Sequence, residues 1–98
     1  MPSREPLTDD EIQSALADLD GWAYDDGELE KTITFDDFRA AISFIVRISF
    51  EAEELNHHTE LENVYNTVEI ELTTHDAGNA VTELDVELAS RIDAVLAA

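Results

Sequence analysis

All the histidines of this 98-residue chain, three in number, lie within nineteen residues: His57 and His58 side by side, then His75. Imidazole is the side chain that both gives and takes a proton near neutral pH, so their concentration in one window points to acid/base chemistry. Glu53 precedes His57 by one helical turn and shares its face if the segment is helical. Two other readings stay open. Glu53, His57 and His75 can supply a two-histidine, one-carboxylate metal set, and single histidines also serve as surface or helix-capping residues. Against the metal set, His57 and His58 cannot easily aim at one ion, no H-E-x-x-H spacing occurs and cysteine is absent. No serine or threonine stands in a triad-like relation to a histidine–acid pair, and no glycine-rich phosphate loop is present. Proton transfer without a covalent nucleophile is the chemistry that these residues suit.

The elements that must position them are legible from local pattern. Residues 1–7 hold two prolines and no periodicity and are expected to form a loose arm. Thr8-Asp9-Asp10-Glu11 is a capping box, and Ile12, Ala15, Leu16 and Leu19 continue it as one apolar stripe, with Gly21 placed to end the helix. From Trp22 to Phe35 the chain reads as a hairpin turning at Asp26-Gly27, with Lys31 interrupting its apolar face. Its stem is expected to lie over apolar surface with the ammonium in water. Asp36 and Asp37 open a long helix with the stripe Phe38, Ala41, Ile42, Ile45, Ile48, Ala52 and Leu55, widened by Phe44, Val46 and Phe50. That helix ends near Asn56, which puts His57 and His58 at its C-terminus.

Beyond the histidine pair, residues 64–74 alternate Val68, Ile70 and Leu72 with Glu69, Glu71 and Thr73, as in a strand with one wet face; Tyr65 is expected in the core or a pocket wall. Residues 76–80 form a turn. Thr82-Glu83-Leu84-Asp85 is a second capping signature, opening a final helix with the stripe Val86, Ala89, Ile92 and Leu96. The order helix, hairpin, helix, strand or strands, helix predicts a two-layer α+β sandwich, with an antiparallel sheet and the helices on one face.

Length and composition fit one domain, residues 1–98, with a modest core that an oligomer would reinforce. No apolar run approaches a membrane span and no basic-then-apolar leader is present, so a soluble, cytoplasmic protein is expected. Charge is the most unusual bulk property: 24 acids against five basic residues give a formal net charge of −19. Such a chain repels nucleic acid and anionic membrane. The acids are spread from Glu5 to Asp93 and read as a solvated surface whose repulsion is screened at molar salt, where the Debye length is about 3 Å. A protein of a salt-loving organism is expected.

Glu53-x-x-x-His57-His58, Tyr65, Thr74-His75-Asp76 and Thr82-x-x-Asp85 followed by Leu88-Ala89 together resemble the pterin-4a-carbinolamine dehydratases. The likeness extends over residues 8–96, because Trp22, the strand from Leu29 to Phe35 and the Phe38 helix keep the family's order and spacing. The resemblance implies a four-stranded antiparallel sheet with three helices on one face, in the order α-β-β-α-β-β-α. It also implies a homodimer or homotetramer, formed through the 38–56 helix or a sheet edge. The implied activity is loss of water from 4a-hydroxytetrahydropterin to give quinonoid dihydropterin, in pterin recycling, without metal or other cofactor. By similarity, His57, His58 and His75 are the catalytic candidates, and Glu53, Asn56 and Asp85 the substrate-binding ones. The other readings are a dimerisation or coactivator partner, and a related pterin activity in molybdopterin metabolism. The chain departs from the family where Thr59 replaces a usual proline, Leu61 an aromatic and Asn56 an acid. One extra residue also lies between His75 and Asp85.

Overall fold

The structure is a computed structural model and describes residues 2–98. The first capping box closes as its sequence requires: Thr8 Oγ1 accepts from the Glu11 N–H at 3.2 Å, and Glu11 Oε1 accepts from the Thr8 N–H at 2.9 Å. Helix α1 runs over Asp9–Ala17 and buries Ile12. It stops short of the expected Leu19. The chain beyond it is drawn toward the last helix, where the Asp20 N–H donates to Asp93 Oδ2 at 3.0 Å.

Strands β1 (Ala23–Asp25) and β2 (Glu28–Thr34) form the expected hairpin. Asp26 and Gly27 both have positive φ, 48° and 83°, which is the two-residue turn whose twist matches the strands. Helix α2 (Phe38–Glu54) starts on Asp37, whose side chain accepts from the Ala40 N–H at 2.8 Å. The strand expected within 64–74 is β4 (Thr67–Leu72), and the fourth strand that the resemblance implies is β3 (Glu60–Val64), just before it and joined to it by Tyr65-Asn66. Asparagine side chains hold that turn: Asn63 donates to the Tyr65 and Thr67 carbonyls, and Asn66 to the Phe35 carbonyl. Tyr65 therefore takes φ 51° at an exposed hairpin tip, outside both the core and the pocket expected of it. Helix α3 (Glu83–Ala97) closes the fold behind the second capping box.

The sheet is antiparallel throughout, in the order β1-β2-β4-β3. Register places Leu29 opposite Leu72 and Ile33 opposite Val68, and these side chains join Ile12, Ala41, Phe44, Ile48, Leu88 and Ile92 in one core beneath the helices. Burying each of the larger of these side chains contributes about 1.5–3 kcal/mol. The inward stripe of α2 is Ala41, Phe44, Ile48 and Ala52, so Phe44 faces the core while Phe38 and Ile42 turn outward. On α3, Leu88 joins Ala89 and Ile92 at the centre, and Val86 and Leu96 are only partly covered.

Lys31 departs from expectation. It lies on the inward face of β2, and its ammonium, instead of reaching water, sits 2.9 Å from Asp93 Oδ1, beside the Asp20 carbonyl and 5.7 Å from the Trp22 ring centre. Asp93 Oδ1 also accepts from the Trp22 indole N–H at 2.8 Å. One carboxylate of α3 thus ties together β2, Trp22 and the segment after α1. The N-terminal arm is likewise held rather than loose. The Leu7 N–H donates to the Val81 carbonyl, and the Ser3 N–H to Glu83 Oε2, each at 2.9 Å.

Candidate active site

Helix α2 ends in a way that decides where His57 points. Asn56 adopts φ 50°, its N–H donates to the Glu53 carbonyl, and the His57 N–H donates to the Ala52 carbonyl. This is a Schellman ending with asparagine in the left-handed position, where its short polar side chain is tolerated. The reversal carries His57 inward, leaving it 7 % exposed, while His58 stays at the surface. Beneath His57 stands Asp85, fully buried in the first turn of α3, with Oδ1 2.5 Å from His57 Nε2. Asp85 Oδ2 accepts from the Thr82 N–H at 2.9 Å and from the Thr74 hydroxyl at 2.8 Å. The carboxylate caps the helix and braces the imidazole at once.

With Nε2 donating to Asp85, the basic nitrogen of neutral His57 is Nδ1. No side-chain nitrogen or oxygen among the described residues is both buried and unpartnered, so Nδ1 opens to the pocket that His57 lines. That pocket has a volume of about 260 Å³, and all of the histidines face it, together with Asn56, Thr59, Glu60, Thr73 and Thr74. His75 arrives on a single 3₁₀ turn, His75–Ala77, immediately after β4 and the buried Thr73-Thr74. Its Nδ1 lies 2.7 Å from Asn79 Oδ1, and its Nε2 is 3.4 Å from Glu60 Oε1. The β1–β2 turn packs under this loop. A Cβ at Gly27 would come within 2.4 Å of the Asn79 carbonyl oxygen, and Gly27 is at φ +83°, so only glycine fits. Arg4 reaches the rim from the N-terminal arm, 3.7 Å from Asp76.

The pocket therefore gathers His57, His58, His75 and Asn56, but treats the two expected carboxylates differently. Asp85 reaches it only through the His57 ring. Glu53 does not pair with His57, which has left the helix face. Instead it lies 3.6 Å from His58, and it lines a smaller groove of about 190 Å³ with Ile45, Ile48, Thr59 and Leu61. Leu61, the position of the missing aromatic, belongs to that groove rather than to the histidine pocket. Arg4, Glu60, Thr74 and Asn79 were not singled out as site residues by sequence pattern. Of these, Thr74 carried a signal as part of the Thr74-His75-Asp76 motif, and Asn79 as a residue of the expected 76–80 turn.

The metal set of Glu53, His57 and His75 is not assembled, because His57 is committed to Asp85 and Glu53 faces His58. Among the described residues, the three-ligand cluster is Glu28, Glu30 and Glu71, on the outer face of the sheet. There burial pushes the Glu28 carboxyl up, helped by Glu71, Glu60 and Glu30; burial also raises Glu30, with Asp25, Glu71 and Glu69 adding to it.

Comparison with known proteins identifies the family. The family model for Pterin 4 alpha carbinolamine dehydratase matches residues 5–95. A protein of Opitutus terrae assigned as a pterin-4-alpha-carbinolamine dehydratase is 54 % identical over 89 residues, covering 91 % of this chain and 92 % of its own. One from Sulfurisphaera tokodaii with the same assignment is 43 % identical over 90 residues, covering 92 % and 96 %. The crystal structure of a transcriptional coactivator/pterin dehydratase from Brucella melitensis superimposes with a TM-score of 0.88 at 39 % identity, over 93 % of this chain and 98 % of that one. The chain belongs to the pterin 4 alpha carbinolamine dehydratase family of hydro-lyases.

Proposed function

We propose that the chain removes water from a 4a-hydroxytetrahydropterin to give the quinonoid dihydropterin, with histidine side chains moving the protons. The observation that carries this reading is His57, braced from behind by buried Asp85 and opening Nδ1 into a pocket that His58 and His75 also line. In the reaction the C4a–O bond breaks and its electron pair leaves with oxygen, which takes a proton and departs as water. The adjoining ring N–H gives up its proton, and that bond's electrons form the new double bond to C4a. His57 Nδ1 is the base. His75, oriented by Asn79, delivers the proton to the departing oxygen, and His58 with Asn56 holds the heterocycle. The substrate serves pterin recycling in the cytoplasm. The test follows conversion of freshly generated 4a-hydroxypterin by the parent, His57→Ala and His75→Ala. A parent rate above the spontaneous background, lost in both variants, is expected. Background rates in all three remove the reading.

The chain also self-associates through α2. Phe38, Ile42, Val46 and Phe50 recur every fourth residue and are 37–67 % exposed, an apolar ridge of the kind that packs against a second helix. Light scattering is expected to find a dimer or tetramer that Phe50→Glu dissociates; a monomeric parent removes this reading. Partner binding on the same ridge is the second reading, favoured by the coactivator name of the Brucella relative. The charge of −19 suits a salt-rich cytosol, where like-charge repulsion is screened.

A further inference from the structure

We propose that Thr74 is a positioning residue for the reaction, setting the tautomer of His57 through Asp85; this rests on the reading of His57 as the base. Thr74, Thr82 and Asp85 are each no more than 1 % exposed, so their polar atoms have only one another and the local backbone to satisfy them. Thr82 Oγ1 accepts from the Leu84 N–H at 3.2 Å and lies 2.7 Å from Thr74 Oγ1. A threonine hydroxyl carries one proton. That of Thr74 is given to Asp85 Oδ2 at 2.8 Å, so the proton between the two hydroxyls is that of Thr82.

The chain has one direction, from Thr82 through Thr74 to Asp85. Asp85 Oδ2 also takes the Thr82 N–H at 2.9 Å, leaving Oδ1 for His57 Nε2. Every neighbour of the carboxylate is a donor, and His57 can join only as another. Its Nε2 must carry the proton, and Nδ1 is left bare toward the pocket. Without the Thr74 hydroxyl, Oδ2 keeps a single donor, the Thr82 hydroxyl loses its acceptor, and the carboxylate is free to turn away from the ring.

The test replaces Thr74 by valine, close in shape but without the hydroxyl, and by serine, which restores it. Long-range ¹H–¹⁵N correlation of the His57 ring reads the tautomer directly. The parent and Thr74→Ser are expected to show the Nε2–H form, and Thr74→Val a substantial fraction of Nδ1–H. With 4a-hydroxypterin as substrate, kcat is expected to fall about tenfold in the valine variant, as for loss of one hydrogen bond to a charged group, with KM within about twofold. Serine restores kcat. Thr74→Cys, which keeps the volume and weakens the donor, carries the same comparison if valine prevents folding. Unchanged tautomer and kcat in valine or cysteine overturn the proposal. If the parent lacks dehydratase activity, the functional reading fails, while the ring spectrum still decides what Thr74 does.

Discussion

Replacing Glu71 with glutamine takes one charge out of the most crowded row of the sheet. Glu71 on β4 stands directly opposite Glu30 on β2 and Glu60 on β3, and Glu62 and Glu69 form a further like-charged pair on the same face. Directly opposed like charges on adjacent strands are destabilising, at a cost of about 0.2–1 kcal/mol per pair. Removing both contacts of Glu71 gives an expected gain of about 0.4–2 kcal/mol at low salt. For a domain of this size, each kcal/mol raises Tm by about 4–8 °C.

The pH dependence has a definite sign. Glu28 and Glu30 are raised above 4.5 by burial and by their acidic neighbours, Glu71 among them, so the folded chain holds these protons more tightly than the unfolded one. Their charging therefore costs stability as pH rises from 4.5 through the folded values, and the penalty is complete above them. The advantage of Glu71→Gln is full near neutrality and fades as pH falls toward 4.5. It also shrinks at molar KCl, where the Debye length drops from about 10 Å to about 3 Å. Urea unfolding of parent and variant, near neutral pH and near 4.5, at low and molar KCl, measures all of this. A variant no more stable at low salt, or one whose gain is the same at molar KCl, refutes the reasoning.

Asp85→Asn keeps one acceptor for Thr74 and the Thr82 N–H but turns its amide N–H toward His57 Nε2, forcing the wrong tautomer. With the fold retained by circular dichroism, kcat is expected to drop about 10²–10⁴-fold; a value near the parent's contradicts the bracing role. Asn56→Val forces a β-branched residue to φ 50° and is expected to lose about 1–2 kcal/mol in thermal unfolding and to misdirect His57, whereas Asn56→Gly is expected to be nearly neutral; equal Tm for valine and parent contradicts this. Asp93→Ala leaves the Lys31 ammonium, the Trp22 indole and the Asp20 N–H without their acceptor, with an expected loss of about 3–5 kcal/mol by urea titration. Lys31→Met, which removes the charge instead of stranding it, is expected to cost less, and the reverse order counts against the account.

Features whose causes lie within a few residues are legible in the sequence. Both capping boxes rest on a contact three residues apart, and the Asp26-Gly27 turn on the backbone freedom of adjacent residues. The alternation of Val68, Ile70 and Leu72 follows from the two-residue period of a strand. The break at Tyr65 was hidden because a bulky aromatic occupies a positive φ, held there by side chains of Asn63 and Asn66 rather than by a glycine. The rotation of α2, which buries Phe44 and exposes Phe38 and Ile42, was hidden because that helix is apolar on more than one side.

The sequence by itself determined the element types, the location of the imidazoles and the kind of chemistry they suit, because these depend on residue type and short-range spacing. Tertiary structure alone decided which nitrogen of His57 is offered to a ligand, since the deciding partner, Asp85, lies 28 residues away on another helix. It also decided that Lys31 is held by Asp93, 62 residues distant. Hydrogen bonds and ion pairs need their atoms within about 3 Å, and at such separations along the chain only the packed core brings them that close.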